Sequence, residues 1–296
     1  MCCIMKSVSV TLLGTLTKSV FHMAEREEAP VAFASVPLPA ERQPKPRTRG
    51  LTMMMDWGVG HERMADHLKL VGPYADLVKI VVGTARLYSR ADLIAKLEMY
   101  KSYGVLPFLG GQFAEYVYAT QGFDGMKPFF AEAKNLGFEA IEISDNCVPL
   151  SDEQRRKLIL MATDAGLEVH GEVGSKVAQQ TADDLIAQAQ VCYEAGCHIV
   201  LVEGAELVDA QGQPQRDVIG ALRQKLDLDK VLFELTGPWI KGNALCDVYQ
   251  LKKFLVGEFG MNVNLANVMP DDVLETEALR LGLSVVGPTV ETNPAA

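Results

Sequence analysis

From residue 51 onward one unit keeps recurring, and it leaves little choice of architecture. A short apolar run rich in β-branched residues comes first, then a polar or glycine-containing break, then an amphipathic stretch. The apolar runs are LTMMMD (51–56), LVKIVV (77–82), VLPFLG (105–110), AIEIS (140–144), LEVHGEV (167–173), HIVLVE (198–203), KVLFEL (230–235) and NVNLAN (262–267). Between them lie helical patterns such as RADLIAKLEMYKSYG, GMKPFFAEAKNLG and ADDLIAQAQVCYEAG, each closing on a glycine suited to a helix C-terminus. SDEQRRKLILMATDAG opens with Ser151 and carries Gln154 three residues later, the spacing of a capping box. The continuations GFEAIEI, GLEV and GCHIV share one ending of helix, glycine and strand.

Strands that alternate with helices pair in parallel through right-handed crossovers. Eight such units over roughly 235 residues match the size of a (β/α)₈ barrel. An open doubly wound sheet is the competing α/β arrangement. It usually carries a glycine-rich phosphate fingerprint after its first strand, and DWGVGH lacks the third glycine. The expected fold class is therefore α/β, a (β/α)₈ TIM barrel over residues 50–290.

Residues 1–49 stand apart as an irregular N-terminal extension. The first 24 hold Lys6 and Lys18 but no acid, with SVSVTLLGTL between them, and show no convincing cleavage site. A weak targeting peptide and a nonfunctional leader ahead of Met23 both fit. Pro30, Pro37, Pro39, Pro44 and Pro46 then oppose helix and sheet pairing, so a disordered or extended linker is expected up to residue 49.

The formal net charge of −10 argues against a nucleic-acid partner, since phosphate backbones select basic faces. A small anionic substrate stays compatible, because a local cluster can oppose the global field. No apolar run reaches the roughly 18 residues a membrane span needs. Among the six cysteines none forms a metal-spaced pair, and Cys192 and Cys197 read as free, buried thiols. A reduced, cytoplasmic setting is expected.

Catalysis in a barrel sits at the C-terminal ends of the strands. Those ends supply Asp56, Lys79, Gly110 and Gly111, Glu142 with Ser144 and Asp145, His170 and Glu172, Glu203 with Glu206, Glu234, and Asn264 with Asn267. Acids thus recur near one end of successive strands. A ring of ionised carboxylates repels itself, so it raises pKa values or demands a cation. Oxygen donors select a hard divalent ion, most simply Mg²⁺. Pairing of the same acids with lysines and arginines is the alternative. Asp56, Glu142, Asp145, Glu203 and Glu234 are the metal candidates. Lys79 stands in an apolar run, where a lysine is costly unless paired, and reads as a ligand for a substrate anion. His170 fits either a hydrogen-bonded core histidine or a catalytic group. Zinc is disfavoured, because the five histidines show no ligand spacing.

The runs GLTMMMDWGVG, LVKIVVGTARLY, LGFEAIEISDN, GEVGSK, IVLVEGAE and FGMNVNLANV resemble, in that order, motifs of the phosphosulfolactate synthase family over residues 48–283. The resemblance implies a Mg²⁺-dependent (β/α)₈ enzyme. Such an enzyme adds sulfite to phosphoenolpyruvate through an enolate-like intermediate, giving (2R)-O-phospho-3-sulfolactate for coenzyme M biosynthesis. Lys176 matches the position expected to act as the proton donor, with Glu172 as a metal or orienting ligand beside it. Lys79 matches a substrate-binding lysine; Gly110, Gly111, Asn264 and Asn267 complete the expected substrate pocket. Two departures stand out: Trp57 replaces a lysine usual after Asp56, and Ala205 replaces an arginine. Turnover of another enolate-forming anion, or the non-catalytic role suggested by plant heat-stress relatives, stays open. A homo-oligomer is expected.

Overall fold

The computed structural model describes residues 32–39, 41–175, 179–237 and 244–284. Its contacts define a short unit ending at Pro37 and a second unit from Leu38 onward. In the described part of the first unit, the Val36 N–H closes a turn onto the Phe33 carbonyl at 2.8 Å.

The second unit is a closed barrel of eight parallel strands in sequence order. The strands are β1 Thr52–Asp56, β2 Leu77–Ile80, β3 Leu106–Leu109, β4 Ala140–Ile143, β5 Glu168–Val173, β6 Ile199–Val202, β7 Val231–Glu234 and β8 Leu265–Val268. The outer helices are α1 His61–Val71, α2 Arg90–Ser102, α3 Gly111–Leu136, α4 Asp152–Asp164, α5 Ala182–Ala195, α6 Arg216–Lys225, α7 Leu245–Phe259 and α8 Val273–Arg280. The chain thus folds as the (β/α)₈ barrel expected from its repeat. Among the described residues no helix is long and apolar enough to cross a membrane.

Strand side chains alternate between two apolar layers, as a period of two requires. Met54, Val78, Ile141, Val200 and Phe233 face the helices. Met53, Leu77, Phe108, Ala140, Ile199, Leu201, Leu232 and Ala266 fill the lower barrel interior. The lower interior is therefore largely apolar, and the acid-rich level lies at the upper mouth.

Local signals set the helix limits. Ser151 and Gln154 form the capping box at the start of α4, and Thr181 with Asp184 does the same for α5. Gly137 and Gly196 end α3 and α5 in the left-handed conformation. Two differences from the sequence expectation bear on the site. The pattern at 125–137 is the second half of α3, which starts at Gly111 directly after β3 and breaks at Gly122 (φ 61°). β8 begins at Leu265, which leaves Asn264 before the strand.

Residues 41–49 form no helix or strand, yet they are tied beneath the barrel. Arg42 pairs with Glu277 at 2.9 Å and donates to the carbonyls of Met261 and Gly50. The Lys45 ammonium donates to three carbonyls, Gly72, Ala75 and Tyr103, at 2.5–3.1 Å. Arg47 reaches the carbonyl of Pro73 and the buried Asp76. Each cation meets carbonyls that helix or strand ends leave without an internal partner.

Candidate active site

The inward positions one step above the apolar plug are charged. Two residues past Leu77 comes Lys79; two past Ala140 comes Glu142; two past Leu232 comes Glu234. On β5 the inward series is Glu168, His170 and Glu172. The alternation that fills the lower barrel with methyl groups thus delivers acids from β4, β5 and β7, and a lysine from β2, to one level.

Glu142, Glu172 and Glu234 each offer a carboxylate oxygen within 4.8 Å of the others, and all three are buried. The Lys79 ammonium stands 2.7 Å from Glu142 and 2.7 Å from Glu234. Burial works against that ammonium, but Glu142, Glu234 and Glu172 outweigh it and hold its pKa well above the usual lysine range. Burial drives the Glu142 carboxyl well up; Lys79 opposes that rise, and Glu172 and Glu234 add to it. Among the described residues the cluster sets three acids beside one cation, Lys79. Its remaining negative charge must be met by protons or by a further cation.

Supporting bonds orient the acids. Gly111 N–H, at the first turn of α3, donates to Glu142 Oε1 at 2.8 Å. This approach needs glycine: a Cβ at residue 111 would run into Ser144 Oγ and lie 2.9 Å from Glu142 Oε1. Asn146 Nδ2 donates to Glu172 Oε1 at 2.5 Å. Glu115 of α3 accepts from the Ser144 hydroxyl and from the backbone N–H groups of Cys147 and Val148, which fixes the loop after β4.

A cavity of about 220 Å³ opens over the cluster. One wall is acidic, with Glu142, Glu172 and Glu234. The rest of the lining includes the apolar Met55, Trp57, Val81 and Val82. Among the described residues lining it, Lys79 is the only cation. Val82 and Asn267 both line this cavity in the left-handed backbone region, with φ of 45° and 59°. For the β-branched Val82 that conformation is a genuine outlier, and such strain concentrates at ligand sites.

The remaining expected residues sit elsewhere. Asp56 follows the inward Met55, so it points to the helix layer. There it meets Lys96 and Tyr100 of α2 at 2.7 Å each and accepts the N–H groups of Gly58 and Val59. That clamp shapes the loop carrying Trp57. Asp145 pairs with Arg155 of α4 at 2.6 Å. Glu203 is buried at the mouth, outside the three-acid cluster, and accepts the Ala205 N–H at 3.2 Å. Gly110 donates its N–H to the Ile80 carbonyl, joining β2 to the start of α3. Asn267 lines the cavity and donates to the Leu235 carbonyl at 3.4 Å. Asn264 lies at the opposite end of the barrel, where it accepts from Leu51 N–H and donates to the carbonyls of Leu228, Asp229 and Val231. His170 sits one layer below Glu172, 2.9 Å from Glu168 and edge-on to Phe108. Lys176 lies outside the described residues.

Sequence reasoning did not single out Lys96, Asn146 or Arg155. Lys96 and Arg155 are cations at core-facing helix positions, which is a usable signal. Asn146 ends the EISDN run and carries no other mark.

Residues 40–285 match the family model described as (2R)-phospho-3-sulfolactate synthase (ComA). The phosphosulfolactate synthase of Methanocaldococcus jannaschii is 36% identical over 245 residues, covering 79% of this chain and 92% of that protein. The phosphosulfolactate synthase of Methanothermobacter thermautotrophicus is 31% identical over 252 residues, covering 82% and 92%. Among solved structures, dihydrodipicolinate synthase from Agrobacterium tumefaciens superposes with a TM-score of 0.51 at 11% identity, covering 81% of this chain and 76% of that one; this likeness concerns the fold alone. The chain is an enzyme-type barrel of the (2R)-phospho-3-sulfolactate synthase (ComA) family.

Proposed function

We propose that the chain is a C–S bond-forming lyase that adds sulfite to phosphoenolpyruvate, giving (2R)-O-phospho-3-sulfolactate. The observation that carries this reading is the convergence of Glu142, Glu172 and Glu234 around Lys79 beneath one mouth cavity, in a chain of this family. In the reaction the sulfite sulfur bonds to the methylene carbon, the double-bond electrons move to the neighbouring carbon, and a proton closes that carbon.

The acid cluster suits Mg²⁺. Its donors are hard carboxylate oxygens from three strands, all within 4.8 Å of one another. Bound there, Mg²⁺ would supply positive charge opposite the carboxylate on which electron density builds. Lys79, held as ammonium, contributes a fixed cation and bridges Glu142 and Glu234. Gly111 N–H and Asn146 hold Glu142 and Glu172 in orientation. Lys176 is assigned the final protonation on the resemblance of GEVGSK to the family motif. Small anionic substrates, a cytoplasmic setting, a place in coenzyme M biosynthesis and a homo-oligomeric state belong to the same reading.

A second reading is favoured by the cavity's apolar lining residues Met55, Trp57, Val81 and Val82: an enolate-forming anion other than phosphoenolpyruvate. One experiment separates the two. Purified protein is incubated with Mg²⁺, phosphoenolpyruvate and sulfite and followed by ³¹P NMR. The expected outcome is a new organosulfonate phosphate ester that requires Mg²⁺ and is lost in Glu234→Gln. No product at any sulfite concentration, with Mg²⁺-dependent deuterium exchange into a 2-oxo acid, selects the second reading.

A further inference from the structure

Two cysteines lie behind β5, on the side away from the mouth. The end of α5 brings them together. Gly196 takes the left-handed conformation at φ 106°, its N–H reaches the Cys192 and Tyr193 carbonyls, and the Cys197 N–H bonds the Cys192 carbonyl at 3.0 Å. This is the Schellman arrangement, whose two outer residues meet side chain to side chain, usually as an apolar contact. Here those residues are Cys192 and Cys197. Both are buried, and both sulfurs press on the same residue of β5, Gly171. The closing backbone bond also brings the two Cα atoms into the range a disulfide spans, about 4.4–6.8 Å.

Two neighbours make the pair more than a packing contact. The buried Arg155 guanidinium lies beside the Cys192 sulfur, while it pairs with Asp145 and donates to the Glu172 carbonyl at 3.0 Å. On the other side the sulfurs rest on β5 at the residue before Glu172. A Cβ at Gly171 would lie 2.7 Å from Cys192 Sγ and 3.3 Å from Cys197 Sγ.

We propose that Cys192 and Cys197 are a redox modification site that closes to a reversible internal disulfide, set against the back of β5. The oxidant is a small hydroperoxide. The Cys192 thiolate takes one oxygen from hydrogen peroxide to become a sulfenic acid and releases hydroxide. The Cys197 sulfur then attacks that sulfur, the S–S bond forms, and the S–OH oxygen leaves as water with the Cys197 proton. In net terms two thiols and one hydrogen peroxide give one disulfide and two waters; the sulfurs are oxidised and the peroxide O–O bond is reduced. A small dithiol reverses the step.

The division of roles follows from the surroundings. The neighbouring Cys197 thiol, opposed by burial and helped by Arg155, holds the Cys192 pKa below the usual thiol value, while Cys192 and burial push Cys197 up. The pair thus has an attacking and a resolving member. Bond formation fixes the sulfurs at about 2.05 Å, so the shape pressed against Gly171 and Arg155 changes. Because Arg155 also holds the Glu172 carbonyl, the change reaches the mouth through β5. None of this depends on which reaction the mouth performs.

The test uses the full chain with Cys2, Cys3, Cys147 and Cys246 replaced by serine. Folded protein is exposed to hydrogen peroxide, then unfolded and alkylated. The expected result is loss of both alkylatable thiols, a mass lower by two hydrogens, a Cys192–Cys197 cross-linked peptide, and full recovery with dithiothreitol. Hydrogen exchange over 168–175 is expected to rise on oxidation. In the same background Cys197→Ser is expected to stop at a sulfenic acid that dimedone traps. Should the serine background fold poorly, peptide mapping of the wild-type chain reads the same cross-link. Two alkylatable thiols after oxidation, a cross-link that forms only in unfolded protein, or one between chains overturns the site. A disulfide with unchanged exchange over β5 overturns its coupling to the mouth.

Discussion

Lys79 shows how one side chain sets the character of the mouth. Its ammonium bridges Glu142 and Glu234 with almost no contact with water. Lys79→Met is expected to remove the ammonium that pairs with the buried Glu142 and Glu234, at a cost of about 3–5 kcal/mol in denaturant unfolding. Added Mg²⁺ is expected to raise the variant's Tm more than the wild type's; equal shifts would remove the acids from cation binding. Glu206 offers a test with a sign. It accepts the N–H groups of Ser175 and Gln180 at 2.9 Å, and burial raises its pKa above 4.5. A carboxyl whose pKa is higher in the folded state holds its proton longer there. Its contribution to stability is therefore lost as pH rises from 4.5 through the folded value. Glu206→Gln has no such titration, so its Tm should gain on wild type across that interval. A difference that is flat or falls with pH contradicts the assignment.

The strand–loop–helix unit is the scale at which the site is assembled. The upper end of each strand offers two directions, and parity chooses between them. Met55 faces the cavity, so Asp56 must face α2, where Lys96 and Tyr100 receive it. Close backbone approach matters as much at the start of α3. Gly111→Ala would drive a methyl group into Ser144 and Glu142, so we expect lost activity and a fall in stability of about 1–3 kcal/mol. A fully active Gly111→Ala enzyme would show that Glu142 does not need this contact. Beneath the barrel, Lys45 serves the C-terminal ends of α1 and α2 at once, through the carbonyls of Gly72 and Tyr103. Lys45→Met removes the donor from three carbonyls. It should lower unfolding stability by about 1–3 kcal/mol while leaving KM unchanged.

For the whole molecule, the boundary of the folded unit falls before the segment that crosses the barrel floor. A chain beginning at Leu38 retains Arg42, Lys45 and Arg47 and should melt like the full-length protein. A chain beginning at Gly50 lacks all three and should melt several degrees lower; equal Tm values would make the segment an ornament.

The repeat alone was enough to read the closed parallel barrel, because burying alternate faces of eight strands between helices is a local pattern repeated along the chain. It was also enough to mark Lys79, Glu142, Glu172 and Glu234 as charges at strand ends, since each interrupts an apolar run. What the linear pattern could not decide was direction and partner. Asp56 and Asp145 read like Glu142 in one dimension, but they meet Lys96 and Arg155 from helices that are neighbours only in the folded chain. Asn264 resembles Asn267 on paper, and the start of β8 one residue later sends it to the opposite end of the barrel. The proline-rich run before Gly50 reads as a linker for the same reason, since the carbonyls its cations bind come from distant helix and strand ends. Periodicity is written in the backbone's own geometry; which charge finds which is settled only when closure of the barrel brings separate segments within hydrogen-bonding reach.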